Sequence, residues 1–120
     1  MKTLAYCSPY LPPEWIAAHG LQPYWLQPGG LASRVLMGLR RGVCPYAGGI
    51  MDRVESGLPA AALALTTVCD QMRYAAAYLE GRTSLALFLM NVPSTWQSGT
   101  GAAIYRSELE RLGRFMVALG

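Results

Sequence analysis

The residues best able to do chemistry in this chain are its three cysteines, Cys7, Cys44 and Cys69. They are widely spaced, and no Cys-x-x-Cys pair occurs, so a zinc ribbon or a thioredoxin-type motif is excluded on spacing. A secreted disulfide framework would be denser and even in number. The cysteines can act together only if the fold brings them to one place.

Local signals place each cysteine where a strand ends or a helix begins. A charge-free apolar run over residues 63–68 leads into Cys69 and Asp70, and a stretch with helical spacing follows. Cys7 follows a short strand candidate, and Cys44 precedes Pro45, which suits the first turn of a helix. In a parallel sheet the strands' carboxyl ends share one rim. We therefore expect the three thiols to face one crevice.

The pattern of elements predicts an α/β fold. Strands are expected at residues 4–6, 21–26, 59–67 and 85–91, and helices at 13–19, 31–41, 45–56, 71–79 and 102–119. The last helix carries an apolar stripe from Tyr105 to Leu119, and Pro23 suggests that the second strand lies at an edge. Strands that alternate with helices indicate one Rossmann- or flavodoxin-like domain over residues 1–120, a four-stranded parallel sheet with helices on both faces.

Three thiolates without histidine or carboxylate partners favour an iron–sulfur cluster, with zinc next. Three cysteines on a cubane leave one iron with an open position, as a catalytic cluster requires. Helix N-termini at Cys44 and Cys69 favour the thiolate form. Two alternatives remain open. One is a non-catalytic interaction or scaffold domain with buried structural cysteines, and the other is a small zinc or redox protein.

Composition restricts the class of protein. Hydrophobic residues make up 52% of the chain and charged residues only 14%, below the roughly 25–35% expected of a small domain's surface. Part of the surface is therefore expected to pack against another domain or subunit. The net charge of +3 is spread along the chain, which indicates no nucleic-acid partner. No apolar run approaches the roughly 18 residues of a membrane span and no signal peptide is evident, so a cytoplasmic location is expected.

Other motifs are weak. The chain has no G-x-G-x-x-G after its first strand and no P-loop, which argues against a nucleotide site. His19, the only histidine, is expected to have a surface or capping role. Ser94 and Thr95 could cap the last helix or contact a ligand, and capping is the simpler role.

Four short segments, in order, resemble one family. Residues 7–23 resemble the cysteine, tyrosine, proline, glutamate, "AAG", proline segment of the 2-hydroxyacyl-CoA dehydratase and benzoyl-CoA reductase subunits. Residues 44–46 resemble their Cys-Pro-Phe element, residues 67–73 their Thr-Cys-Asp-x-x-Arg element, and residues 91–93 their Asp-Val-Pro. The chain thus looks like the N-terminal α/β domain of a 2-hydroxyglutaryl-CoA dehydratase D-component.

That resemblance implies an oxygen-sensitive [4Fe–4S] cluster held by Cys7, Cys44 and Cys69. It also implies a role in anaerobic metabolism. It implies an acyl-CoA substrate, a second related subunit, and an ATP-dependent iron–sulfur activase that supplies an electron. In the dehydratases, which are lyases, water is then eliminated through a ketyl radical. Arg73, Ser94 and Thr95 are weak candidates for lining the substrate site.

This chain departs from the family pattern in two ways. Its first motif carries one extra residue between Cys7 and Tyr10. Family subunits also run to several hundred residues, with a further α/β domain that supplies the other wall of the site. The resemblance therefore implies part of a longer architecture that is inactive alone.

Overall fold

The computed structural model describes residues 1–28, 44–94 and 99–120. Within them, short strands alternate with helices. The strands are β1 (Thr3–Tyr6), β2 (Gln22–Trp25), β3 (Ala62–Thr66) and β4 (Ala86–Met90), and the helices are α1 (Pro13–Ala18), α2 (Pro45–Glu55), α3 (Asp70–Leu79) and α4 (Gly99–Leu119). The helix predicted at residues 31–41 lies outside the described part of the chain.

The four strands of the described residues form one parallel sheet in the order β2-β1-β3-β4. This confirms the predicted α/β architecture, and the order is that of the first four strands of a flavodoxin-like sheet. Strands β1 and β3 lie at the centre, with Tyr6 opposite Ala64. Pro23 lies in edge strand β2, where its missing N–H is tolerated.

Side-chain alternation along the strands divides the core between two faces. Ala5, Cys7 and Leu63 face helices α2 and α3, and this cluster includes Ile50 and Met72. The opposite face packs Leu4, Tyr6 and Ala64 of β1 and β3 against α1 and α4. Both faces of the sheet are therefore covered by helices, and the open positions for a site lie at the rims.

Helix α4 packs along its predicted stripe, with Leu112 and Met116 buried, and it begins three residues earlier than expected. It meets α1 closely. The Trp15 indole Nε1 donates to the Leu109 carbonyl at 2.9 Å, and a Cβ added at Gly113 would lie 3.1 Å from His19 Nε2. Glycine at position 113 thus permits the close approach of the two helices.

Helix α1 ends as the sequence suggests. His19 is its C-cap residue, and Gly20 follows with a φ of +78°, a conformation that glycine adopts without strain. His19 Nδ1 lies 2.7 Å from the Trp15 carbonyl oxygen, in keeping with the expected capping role. No helix in the described residues is long and apolar enough to cross a membrane.

Candidate functional site

A cavity of about 280 Å³ opens at the carboxyl ends of β1 and β3, and all three cysteines line it. We call it the cysteine cavity. Four segments contribute residues to it: the loop after β1, the first turn of α2, the end of β3 and the first turn of α3. The remaining lining residues used below are Tyr10, Tyr46, Thr66, Val68 and Met72.

Cys7 forms the buried side of the cavity. It follows β1 directly and is 8% exposed, because its side chain joins the core face beneath α2 and α3. Burial raises the pKa of the Cys7 thiol from 9.0 to about 11, against a smaller opposing effect of Tyr46. The Tyr46 hydroxyl donates to the Cys7 carbonyl at 3.1 Å, so the first turn of α2 is fastened to the end of β1. With its pKa raised in this way, the Cys7 thiol is neutral at pH 7.

Cys44 is the N-cap residue of α2, as predicted. Its Sγ accepts a hydrogen bond from Ala47 N at 3.4 Å, and its carbonyl accepts one from Gly48 N at 3.0 Å. Its own N–H donates to Gln71 Oε1 of α3 at 3.0 Å. The backbone and sulfur of Cys44 are therefore fixed from both helices.

Cys69 occupies the N-cap position of α3 and is exposed. Its carbonyl accepts hydrogen bonds from Met72 N and Arg73 N, at 3.1 and 3.2 Å, which starts the helix. Within the described residues its side chain makes no capping hydrogen bond. Val68 beside it is 52% exposed, so this thiol lies at the open side of the cavity.

A second cavity, of about 710 Å³, adjoins the first and shares Tyr10, Val68 and Cys69 with it. We call it the arginine cavity, because Arg73 of α3 lines it together with Ser94 after β4. The Thr67 hydroxyl accepts from Val92 N at 2.9 Å and joins the ends of β3 and β4 there. The structure thus brings two predicted site residues next to Cys69. Thr95, the third weak candidate, lies outside the described residues.

Sequence reasoning missed three hydrogen bonds around the cavity. Tyr46 and Gln71 bond to the backbones of Cys7 and Cys44, and the Tyr105 hydroxyl donates to the Tyr10 carbonyl at 2.7 Å. Only Tyr46 carried a signal, since it follows Cys44-Pro45 directly. Gln71 resembles any polar residue in a first helical turn, and its partner lies 27 positions away.

Comparison with known proteins bears on what this arrangement is for. A family model described as 2-hydroxyglutaryl-CoA dehydratase, D-component, matches residues 8–119. The chain belongs to this family. The match includes Cys44 and Cys69 and begins one residue after Cys7, and it confirms the resemblance found in the four motifs. No curated protein matches the chain significantly. A D-component is one part of a multicomponent enzyme, so membership implies a partner subunit.

The three cysteines of this D-component family member are ligands of the type that an iron–sulfur cluster takes. Within residues 1–28, 44–94 and 99–120, no group of three or more His, Cys, Asp or Glu side chains is arranged to hold a metal ion. A single zinc ion requires sulfurs about 2.3 Å from one point. A cluster of several irons is a larger body and takes thiolates from different sides. Three cysteines that line one cavity match that second requirement in donor type.

Thr66 supplies a second observation at the cysteine cavity. This last residue of β3 is 1% exposed and lines the cavity, and its Oγ1 has no hydrogen-bond partner among the described residues. An unpaired buried hydroxyl destabilises a protein by about 1–3 kcal/mol. A sulfur-rich group in the cavity would offer an acceptor that the described residues do not provide.

Proposed function

We propose that this chain holds a [4Fe–4S] cluster through Cys7, Cys44 and Cys69, as a component of an enzyme that acts on acyl-CoA thioesters. The reaction is either the dehydration of a 2-hydroxyacyl-CoA or a reduction of the benzoyl-CoA reductase type. The observation that carries the proposal is that three cysteines distant in sequence line one cavity in a chain of the D-component family. When bound, such a cluster supplies single electrons to the substrate.

The protein's own residues prepare the cavity in three ways. Cys7 forms a buried wall that excludes water. Tyr46 and Gln71 tie α2 to β1 and to α3, and so hold two cysteine backbones in place before any metal arrives. Cys7 must lose its proton to become a ligand, and binding to iron provides the positive charge that lowers the pKa of a coordinating thiol.

The arginine cavity is the place for the substrate. Arg73 and Ser94 line it beside Cys69, the most open of the three cysteines. An arginine offers several N–H donors to an oxygen-rich anion such as a CoA phosphate, and a hydroxyl can orient a carbonyl group. A thioester lying there would be adjacent to the cysteine cavity. The second wall would come from the partner subunit, and electrons from an ATP-dependent iron–sulfur activase.

Anaerobic reconstitution tests the proposal. Wild-type protein should become brown and bind roughly four irons per chain, with an equal amount of sulfide. Cys44→Ser and Cys69→Ser should each lose most of that iron. The matched control is the variant with all three cysteines replaced by serine, which measures adventitious iron in the same mixture.

Two results would contradict the proposal. A colourless wild-type protein with three titratable thiols after reconstitution would support a scaffold domain with structural cysteines. Zinc bound tightly in place of iron would support a small zinc protein. Iron binding that survives Cys7→Ser alone would remove Cys7 from the ligand set while leaving the cluster in place.

A further inference from the structure

The hydrogen bonds of Cys44 single out one side chain outside its own helix. Two of the three bonds described for Cys44, from Ala47 N and Gly48 N, belong to the first turn of α2. Any helix with a cysteine N-cap can make them. The third bond, from Cys44 N to Gln71 Oε1 at 3.0 Å, crosses to α3.

Gln71 stands two residues after Cys69, in the first turn of the helix that Cys69 begins. The backbone of Cys69 is fixed to that same turn, because its carbonyl accepts from Met72 N and Arg73 N. One glutamine side chain therefore connects the turn that carries Cys69 to the residue that carries the other N-cap thiol. The connection joins the first turns of two helices that face the same cavity.

The exposure of Cys44 and Cys69 explains why the hydrogen bond to Gln71 affects where these cysteines lie. Cys44 is only partly buried and Cys69 is exposed, so core packing does not hold these two cysteines as it holds Cys7. A site with several protein ligands binds metal tightly only when those ligands already lie in the right positions. Hydrogen bonds to the ligating residues set these positions. At Cys44, the bond to Gln71 is the described hydrogen bond that links this cysteine to α3.

We infer that Gln71 is a positioning residue that sets the placement of Cys44 relative to Cys69. The inference rests on the proposed cluster site and adds a residue that makes no contact with metal. Its Oε1 acts through the Cys44 N–H, so the property required at position 71 is an acceptor of the right reach. Glutamate keeps that acceptor, whereas leucine keeps the bulk and removes it.

The test compares Gln71→Leu with Gln71→Glu, and uses Gln22→Leu in exposed strand β2 as the matched control for the same chemical change. In the metal-free protein, amide hydrogen exchange at Cys44 measures the bond itself. Gln71→Leu should exchange there about 10-fold faster or more, and the other two variants should stay near wild type.

The second measurement is made on anaerobically reconstituted protein. Gln71→Leu should release iron to a chelator roughly 10- to 100-fold faster than wild type, the usual effect of removing an outer hydrogen-bond partner. Its reduced cluster should also show a broadened electron paramagnetic resonance spectrum. Gln71→Glu should restore both properties, and Gln22→Leu should change neither.

Each outcome decides a separate question. Unchanged exchange at Cys44 in Gln71→Leu would show that the bond does not hold Cys44, and would overturn the inference. Faster exchange with unchanged iron release would assign Gln71 a purely structural role and would also overturn it. Wild-type protein that takes up no iron would defeat the proposed function itself, and with it any role of Gln71 in positioning ligands.

Discussion

At the scale of single residues, the three cysteines have different environments although the sequence presents them alike. Cys7 is buried beneath two helices, Cys44 is partly buried and bonded on all its polar groups, and Cys69 is exposed at the mouth of the cavity. The cysteine cavity thus has one side formed by the core and one side open. In the proposed function, a substrate would approach Cys69 from the open side.

The buried thiol of Cys7 should make the metal-free protein sensitive to alkali. Its pKa is raised from 9.0 to about 11, so the folded state keeps a proton that the unfolded state loses in this range. The free energy of unfolding should therefore be unaffected below about pH 9 and fall by about 2–3 kcal/mol as the pH rises to 11. Urea unfolding of wild type and Cys7→Ala, under reducing conditions from pH 8 to 11, measures the difference.

A comparison variant for this prediction is Tyr46→Phe, which also removes the hydrogen bond to the Cys7 carbonyl. Burial, with Cys7 nearby, raises the pKa of the Tyr46 phenol from 10.0 to about 12. Removing the phenol hydroxyl should therefore change the pH dependence of the free energy of unfolding at a higher pH than Cys7→Ala does. Parallel curves for wild type and Cys7→Ala between pH 9 and 11 would show that the thiol does not titrate differently on unfolding.

At the scale of elements, two charged side chains of α4, Glu108 and Arg111, fix that helix to the end of β4. Glu108 is buried, and its carboxylate accepts from Arg111 Nε at 2.8 Å and from Asn91 N at 2.7 Å. Arg111 in turn donates to the Leu89 carbonyl, and its guanidinium lies 4.2 Å from the centre of the Phe88 ring. This contact positions the segment after β4, where Ser94 lines the arginine cavity.

Glu108→Gln should destabilise the protein by about 1–2 kcal/mol at pH 7, because it replaces charged hydrogen bonds with weaker neutral ones. The loss is modest because Arg111, one of the partners, is partly exposed to solvent. The hydrogen bonds from Arg111, with a smaller contribution from Asn91, hold the pKa of Glu108 below its ordinary value of 4.5. The stabilisation is thus present above about pH 4.5 and lost as the pH falls through the lowered pKa. Urea unfolding at pH 7 and pH 3 measures both effects.

Glu110→Gln provides the matched control on the same helix, since Glu110 is exposed. It should change the free energy of unfolding by no more than about 0.5 kcal/mol at either pH. A Glu108→Gln variant as stable as this control at pH 7 would mean that the Glu108 carboxylate contributes nothing to the stability of the contact between α4 and β4.

At the scale of the whole molecule, the site lies open at one edge of the sheet. Val68 and Tyr46 at the mouth of the cysteine cavity are 52% and 41% exposed. Only 14% of all residues are charged. Both facts agree with a surface that meets a partner subunit, as membership in a multicomponent family implies.

A bound cluster should therefore stabilise the whole domain. A ligand that binds the folded state and not the unfolded state raises the free energy of unfolding. The anaerobically reconstituted protein should melt about 5 °C or more above the metal-free protein. Removing iron with a chelator in air should abolish the difference, as measured by scanning calorimetry.

The variant with all three cysteines replaced by serine should melt at the same temperature before and after the reconstitution procedure. Wild-type protein that retains its iron but melts no higher than the metal-free form would contradict the prediction, because such iron would not be bound by the folded site.

Local signals were sufficient to predict the sheet and the place of each cysteine. Pro45 after Cys44 and the apolar run before Cys69 specify, over a few residues, where α2 and α3 begin. The bonds that complete the site join residues far apart in sequence. Tyr46 meets Cys7 across 39 positions and Tyr105 meets Tyr10 across 95. They depend on how the layers pack, and no short pattern encodes that.

Strand order determines when the site can exist during folding. Strands β1 and β3 are neighbours in the sheet, yet β2 and α2 lie between them along the chain. Pairing over such a separation forms late and slowly. Until it forms, Cys7 and Cys69 are independent thiols that can oxidise or bind metal separately. If the cysteines hold a cluster as proposed, loading with iron would follow folding, and a chain stalled before this pairing would leave Cys7 and Cys69 open to oxidation.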